Sequence, residues 1–443
     1  MRCVDLFSGC GGLSLGFMQA GHTIISAFDN WDEAINVYRA NFRHPDVKLD
    51  LSDVEAATAA ILPLHPQMII GGPPCQDFSS AGDRNEDKGR GDLTVDYAQI
   101  IANVRPEWFV MENVARITKT KKLVEARKIF KDAGYGLTQT VLDASRCGVP
   151  QKRKRFILIG KLGEEDDFIE EHLNRNLSDH DMTIAEALGD KIDIQFYYRH
   201  PRSYVRRGIF SVNEPSPTIR GVNRPLPQGY QLHPNDPVQN LEGIRPLTTR
   251  ERSLIQTFPE DFVFLGSKTG QEQMIGNAVP VNLGKYVGKC ITEYIKEKEI
   301  ANWDEIRQQY PKEVVNHESD SIDDLDINKN VLISLVKADN MEQYLDQSAK
   351  IYYTGKKFPS SVALNKLYYF MPYVKEHGIR DLYLIKIARV GTRKEGQPDN
   401  DPNDFRLVFE IEFIKELFQS YKKVHLDIWQ TFKDTTLGAI LNS

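Results

Sequence analysis

The sequence predicts an α/β protein built on a parallel sheet, and three observations carry that prediction. Short apolar runs alternate with amphipathic stretches through the first 160 residues, the pattern of βα units. The first run ends in a glycine-rich loop that opens a helical stretch. From about residue 175 to 245 Pro and Gly become frequent and periodicity fades, marking a loop-rich insert docked on the sheet. Residues 1–175, completed by 263–300, are expected to form the sheet domain, with 176–262 as the insert. An acidic linker over 301–328 and a second, α+β unit over 329–443 complete the expected organisation.

The elements follow in order. RCVDLF, HTIISAFD, QMIIGG, PEWFVMEN and RFILIG read as strands; LSLGFMQAG, DEAINVYRANF and DYAQIIANV fit the helices between them. Regular structure returns after the insert with LTTRERSLIQTF and NLGKYVGKCITEYIKEKEI. Eight acids against Arg307 and Lys312 in residues 304–328 indicate a linker, or for its first half the solvated face of a terminal helix. VLISLV, DLYLIKIARV and RLVFEIEFI are strand candidates beyond it, with GTRKEGQPDNDPND as a long turn.

Composition excludes several classes. At 443 residues the chain suits two or three domains of about 150 residues. With 41% hydrophobic and 27% charged residues it is neither a disordered chain, a collagen-like repeat nor a membrane bundle. No apolar run reaches the roughly 18 residues of a membrane span, and MRCVDLFSGCGG enters a strand pattern at once, so no signal peptide is expected. The five cysteines are scattered and never spaced as C-x-x-C, which argues against disulfides and a metal site and for a reducing cytoplasm. A net charge of -6 means that a nucleic-acid partner would need a local basic patch.

Asp5-Leu6-Phe7-Ser8-Gly9-Cys10-Gly11-Gly12 follows the first strand, and its glycines let a cofactor approach the backbone beside a helix N-terminus. Asp29 closes the second strand, where a carboxylate suits the hydroxyls of an adenosine ribose. Ser14 stands where a dinucleotide fingerprint has its third glycine, so the loop is compatible with a nicotinamide dinucleotide or with S-adenosylmethionine.

Gly71-Gly72-Pro73-Pro74-Cys75 comes directly after the strand QMII, so Cys75 is expected on the ligand-binding edge, in a loop stiffened by two prolines. A thiol there is a candidate nucleophile, whereas an arbitrary cysteine is more often a small buried core residue. Glu112 ends the strand WFVM and is a candidate proton donor, against the plain alternative of a surface glutamate. In Gln151-Lys152-Arg153-Lys154-Arg155, alternation sends Gln151, Arg153 and Arg155 to one face, and two guanidiniums together suit phosphate or a base oxygen.

Together these segments resemble the DNA cytosine-5 methyltransferase family of bacterial modification enzymes. The match runs in family order through DLFSGCGGLSLGF, Asp29, Asp50, GGPPCQDFS, RGDL, MENV, QKRKRF, RPLTTRERSLIQTFP and QMIGNAVPV, over roughly residues 1–298. The resemblance implies a Rossmann-like, S-adenosylmethionine-dependent methyltransferase sheet with a small target-recognition domain. It implies Cys75 as the thiolate that adds to cytosine C6, Glu112 as the acid at N3 and the exocyclic amine, and Arg153 and Arg155 beside the pocket, Arg155 toward base O2. It implies Phe7 against the cofactor, Gly9, Gly11 and Gly12 at its amino-acid end, Asp29 on the ribose and Asp50 on the adenine amine. Leu51, Leu93, Asn277 and Val279 would line the remainder. Asn30 departs from the large apolar residue common there, Trp31 beside it is a candidate substitute, and the role of Asn30 stays open.

A cytosine inside a duplex must be flipped out to be reached. Six arginines stand between residues 199 and 224 (Arg199, Arg202, Arg206, Arg207, Arg220 and Arg224) against Glu214 as the one acid, which outweighs the mild overall acidity as a sign of double-stranded DNA binding. Thr218-Ile219 resembles the pair that marks the family's target-recognition region, and Gln76 and Ser79 beside Cys75 join the expected DNA contacts. An RNA cytosine methyltransferase, a nicotinamide oxidoreductase and a non-catalytic DNA-binding regulator are the competing readings. A monomeric cytoplasmic enzyme of a restriction-modification or defence system is expected, with a cognate endonuclease as partner and the C-terminal unit as an accessory binding domain. Asp381 with Lys386, or Glu410, Glu412 and Lys415, make only a weak nuclease-like set.

Overall fold

A computed structural model describes residues 1–74, 93–201, 203, 205–309, 315–316, 329–335, 351–353, 367–374, 378–392, 405–421 and 432–436. The chain separates into two compact units, Met1–Tyr294 and Ile295–Ser443.

The first unit contains β1 (Arg2–Leu6), α1 (Gly12–Gln19), β2 (Thr23–Asp29), α2 (Asp32–Asn41), β3 (Asp46–Lys48), α3 (Val54–Ile61) and β4 (Met68–Gly71). After these come α4 (Leu93–Val104), β5 (Trp108–Val114), α5 (Lys121–Asp132), β6 (Tyr135–Asp143), β7 (Gln151–Lys152) and β8 (Lys154–Leu162). After α6 (Glu170–Arg175) the insert carries α7 (Ile184–Leu188), β9 (Phe196–Tyr198), β10 (Ile209–Ser211), β11 (Ser216–Pro217) and α8 (Thr249–Ile255). Two helices close the unit: α9 (Lys268–Asn277) and α10 (Val281–Gln309), the second running past its boundary.

Seven strands form the sheet in the order β3-β2-β1-β4-β5-β8-β6. The strands from β3 to β5 are parallel, as expected, but β8 is antiparallel to both β5 and β6. The wholly parallel reading therefore fails at RFILIG. A β6 strand, YGLTQTVLD, with weak apolar alternation precedes it and hands the chain back down the sheet. Burial explains the strong runs: Met68, Ile69 and Ile70 in β4 and Trp108, Phe109 and Met111 in β5 have no exposed surface.

Local signals set the helix ends. Asp53 accepts the Ala56 N–H at the start of α3, and Thr120 accepts that of Leu123 at α5. Thr183 and Thr248 each form a capping box, with Glu186 and Glu251. The insert packs Ile184, Tyr197, Phe210, Ile219 and Leu254 into one core with Ile275 of α9.

In the second unit a seven-stranded sheet comprises β12 (Val315–Asn316), β13 (Asn330–Leu335), β14 (Ile351–Tyr353), β15 (Leu367–Val374), β16 (Gly378–Thr392), β17 (Phe405–Tyr421) and β18 (Phe432–Thr436). The order is β14-β17-β16-β15-β13-β18, with β12 paired to β16, and Val331, Ile333, Tyr369, Met371, Leu382 and Leu384 form its core. Two observations bear on the expected organisation. Residues 301–309 continue α10, and Val315–Asn316 join the sheet, so the acidic stretch is not linker throughout. Among the described residues of 329–443 every element is a strand, so the helical part of the α+β expectation is not seen there.

Candidate active site

The order β2-β1-β4 makes the chain switch direction between β1 and β4, and loops at such a point diverge to leave a crevice. Leu6 pairs with Gly71 and Gly71 with Met111, so Phe7–Gly12, Gly72–Pro74 and Glu112 leave adjacent strands at one level. Between them lies a cleft of about 730 Å³.

The glycine loop is shaped by left-handed residues. Phe7 has φ 58° and Gly9 φ 53°; the first is a strained conformation for a bulky side chain, held by the packing of its ring on the sheet core. A β-carbon on Gly9 would meet nothing within 4 Å, so this position faces open cleft. Gly11 differs from expectation. It caps α1 at φ 95°, a β-carbon there would lie 2.3 Å from Phe42, and it is absent from the cleft lining. Its role is to pack α1 against α2. Gly12 lines the cleft and also abuts Val279, whose carbonyl oxygen would be 2.2 Å from an added β-carbon.

Asp29 Oδ2 accepts the Gly9 N–H at 2.7 Å and Oδ1 accepts the Trp31 N–H at 2.9 Å. The carboxylate thus ties the glycine loop to the start of α2. Asp50 Oδ1 accepts from both the N–H and the hydroxyl of Ser52. Phe7, Gly9, Gly12, Asp29, Asp50, Leu51, Leu93, Asn277 and Val279 all line the cleft, so nine of the ten expected cofactor residues converge. Asn30 and Trp31 line it as well, and the indole N–H of Trp31 donates to Glu33 at 2.6 Å.

On the opposite wall, Arg155 Nε donates to Glu112 Oε1 at 2.7 Å, with side chains 13% and 10% exposed. Register explains the pair. Arg155 sits across from Val114, two residues from Glu112, so the side chains meet diagonally on one face. Burial pulls the Arg155 pKa down, and the Glu112 carboxylate opposes that shift. Asn113, missed as an individual residue, donates from Nδ2 to the Pro73 carbonyl at 2.9 Å and pins the root of the Pro-Pro loop.

The one-face expectation for Gln151, Arg153 and Arg155 holds in burial, with Lys152 and Lys154 exposed between them. Arg153 nevertheless has different work from Arg155. It is 2% exposed, and its fork donates to the carbonyls of Ile219, Gly276 and Ala278 at 3.0, 3.0 and 3.1 Å. Burial, and then the neighbouring Arg155 charge, pull its pKa well down. Gln151 donates to Gln256 at 2.7 Å and accepts the Ile219 N–H at 2.8 Å, completing a buried knot that joins β7, the insert and the Asn277 wall. Sequence reasoning missed Gln256 and Gly276, whose added β-carbon would be 2.2 Å from Gly221 N. Their role depends on segments far apart in the chain.

The insert's arginines divide. Arg207 pairs with Glu214 and lies 4.3 Å above the Phe210 ring, so its charge is already neutralised within the insert, unlike the expected DNA contact. Arg199 donates to the Thr218 carbonyl and Arg220 to that of His200. The Thr218 hydroxyl donates to the Lys152 carbonyl at 2.7 Å, while Arg206 and Arg224 are exposed. Cys75, Gln76, Ser79 and Arg202 lie outside the described residues.

Comparison with known proteins matches the model of the C-5 cytosine-specific DNA methylases to residues 1–293. The chain belongs to that family. This DNA cytosine-5 methyltransferase is 57% identical over 298 residues to the type II methyltransferase M.HindV of Haemophilus influenzae, covering 67% of this chain and 98% of that protein. It is 53% identical over 297 residues to M.HgiDI of Herpetosiphon aurantiacus, covering 67% and 96%. The solved S. pombe Dnmt2 methyltransferase, at 18% identity, shares the fold over 67% of the methylase chain and 99% of its own, with a TM-score of 0.51. Among the described residues of this methylase, no helix is long and apolar enough to cross a membrane, and no group of three or more acidic, His or Cys side chains is placed to hold a metal.

Proposed function

We propose that the enzyme methylates C5 of a flipped-out cytosine within a specific duplex DNA sequence, using S-adenosylmethionine and a covalent Cys75–C6 intermediate. The observation that carries this reading is the buried Glu112–Arg155 pair facing the left-handed glycine loop across one cleft, at the root of the loop that bears Cys75. The cleft fits the cofactor. Gly9 opens the wall beside a helix N-terminus, Asp29 is oriented by two backbone N–H groups, and Asp50, Leu51 and Leu93 line the same space.

When bound, S-adenosylmethionine supplies an electrophilic methyl on a sulfonium sulfur. The Cys75 thiolate adds to C6 as a proton, taken up by Glu112 from solvent when the base enters, passes to N3, leaving an electron pair at C5 that takes the methyl. Arg155, held by Glu112, takes base O2 under this reading. A base then removes the C5 proton, N3 returns its proton to Glu112, and the C6–S bond breaks to restore the thiolate. Cys3, Cys10 and Cys147 have pKa values pushed up to about 12 by burial and Cys290 to about 11, which makes each a poor thiolate source.

The names of M.HindV and M.HgiDI, both type II methyltransferases, support a role in restriction-modification, and a companion endonuclease is the partner expected under this reading. The second unit serves as an accessory binding domain under this reading. Incubation with S-adenosylmethionine and unmethylated DNA, followed by bisulfite sequencing, tests the assignment. Methylation in one repeated context, absent with Cys75→Ala, is expected; a folded, cofactor-binding enzyme that methylates no DNA defeats it.

A further inference from the structure

We infer that Arg224 and Val222, braced by His200, read base edges of the target duplex, with Arg224 taking a guanine. This rests on the DNA-methylating function proposed above and names the part of the insert that discriminates sequence.

The segment after Ile219 is pinned from behind. Arg252 donates to the Arg220 carbonyl, and the Asn223 amide donates to the Leu247 carbonyl at 2.8 Å and to Glu272 Oε1 at 3.1 Å. Gly221 packs against Gln273 and Gly276. With residues 221 and 223 turned inward, Val222 and Arg224 face outward. Val222 is 63% exposed and Arg224 is also exposed, on a backbone that has already lost its freedom. Such prior ordering lowers the entropy cost of recognition.

His200 orients the guanidinium. Arg224 Nη1 lies 3.5 Å from His200 Nε2, while His200 Nδ1 lies 3.1 Å from the Tyr198 hydroxyl. An arginine only donates, so this contact uses Nε2 as acceptor and leaves the proton on Nδ1 for Tyr198. Burial and the charges of Arg224, Arg220 and Arg199 lower the His200 pKa, which favours this neutral form. The depression beside it is lined, among the described residues, by arginines, aromatic, apolar and neutral polar residues and by no carboxylate. A fork held on one edge presents its other edge in the plane that matches O6 and N7 of guanine, and an exposed valine next to it suits the apolar edge of a pyrimidine. Arg206 is exposed without such a brace and fits a phosphate contact, which positions the duplex without reading it.

The test is methylation of a duplex library randomised around the target cytosine, read by bisulfite sequencing. Arg224→Lys should lower discrimination at one G·C pair by about tenfold to a hundredfold, the loss expected of a bidentate contact, and leave the preferences elsewhere intact. His200→Ala should loosen the same position less, and His200→Gln, which keeps an acceptor, should restore it. Val222→Ala should relax a neighbouring pair. Arg206→Ala should slow methylation of all sequences alike and flatten its salt dependence. A uniform loss with Arg224→Lys, or unchanged preferences, overturns the assignment while the wild type still methylates. A wild-type enzyme that methylates nothing in the library overturns the proposed function and this inference together.

Discussion

Arg155 Nε and Glu112 Oε1 lie 2.7 Å apart in a nearly closed corner of the cleft, so each charge is the other's main compensation. Glu112→Gln should therefore have two effects. Methyl transfer should fall by about 10² to 10⁴, the range of a lost general acid, and stability should drop by about 3–5 kcal/mol because a guanidinium is left buried alone. The double variant Glu112→Leu, Arg155→Met separates these effects. It should recover most of the stability and none of the activity, by urea titration and a methyl-incorporation assay.

Two left-handed glycines of the loop after β1, Gly9 and Gly11, have different jobs and should fail differently. Gly11→Ala combines a conformational cost of about 1 kcal/mol with overpacking against Phe42 of about 1–3 kcal/mol, so its denaturation midpoint should fall. Gly9→Ala meets no protein atom, carries only the first cost and should instead weaken S-adenosylmethionine binding measured by calorimetry. Equal midpoints for the two variants would refute this division.

Arg153 is a positioning residue in this structure. Arg153→Met leaves the Ile219 and Gly276 carbonyls without their donor, while Ala278 keeps Gln256 Nε2, and should cost at least about 2 kcal/mol. Because those carbonyls belong to the insert and to the Asn277 wall, KM should rise for DNA and cofactor together, with kcat less affected. Arg153→Lys should recover part of each. A fall in kcat alone, at unchanged stability, would point to direct contact with the base.

Asp5 carries a pH signature. It is fully buried in β1 and accepts the Ser14 hydroxyl at 2.6 Å; Ser14 meets Tyr38, and Tyr38 meets His44. Burial, with a smaller contribution from Asp29, pushes its pKa from 3.8 up to about 7 although the Ser14 bond opposes this. Between these values the folded chain holds a proton that the unfolded chain has released, so the contribution to stability falls as pH rises through that window. Asp5→Asn has no such proton. Urea midpoints measured from about pH 4 to 8 should decline less steeply for this variant than for the wild type, and parallel curves would count against the assignment.

Removing residues 329–443 should leave methyl transfer intact, since M.HindV matches this chain along 98% of its own length within 298 residues. The measurement is kcat/KM for the shortened enzyme beside the full chain. Loss of chemistry in a folded, cofactor-binding truncation would make the second unit part of the catalytic machinery.

Much of the sheet and of the cofactor wall was legible beforehand because their signals are local. Uninterrupted apolar runs such as Met68–Ile70 mark buried parallel strands, and a strand ending in glycines marks the crevice edge. Asp29 was legible for the same reason, as a carboxylate at a strand end. The reversal of β8 was not, because RFILIG has the same texture whichever way it runs and the direction is set by how β6 returns the chain.

The amino-acid sequence by itself determined the strand-loop-helix units, the crevice residues at strand ends and the chemistry they suit, since residue spacing alone places side chains on a face. Tertiary structure decided what each charged side chain does with its charge. Arg153, Arg155, Arg207 and Arg224 are alike in the sequence, yet one holds carbonyls, one a buried carboxylate, one Glu214, and one rests on His200 facing outward. A guanidinium's role follows from the acceptors that folding brings within hydrogen-bonding reach, up to about 3.5 Å, and those acceptors come from segments as distant as residues 112, 219 and 276.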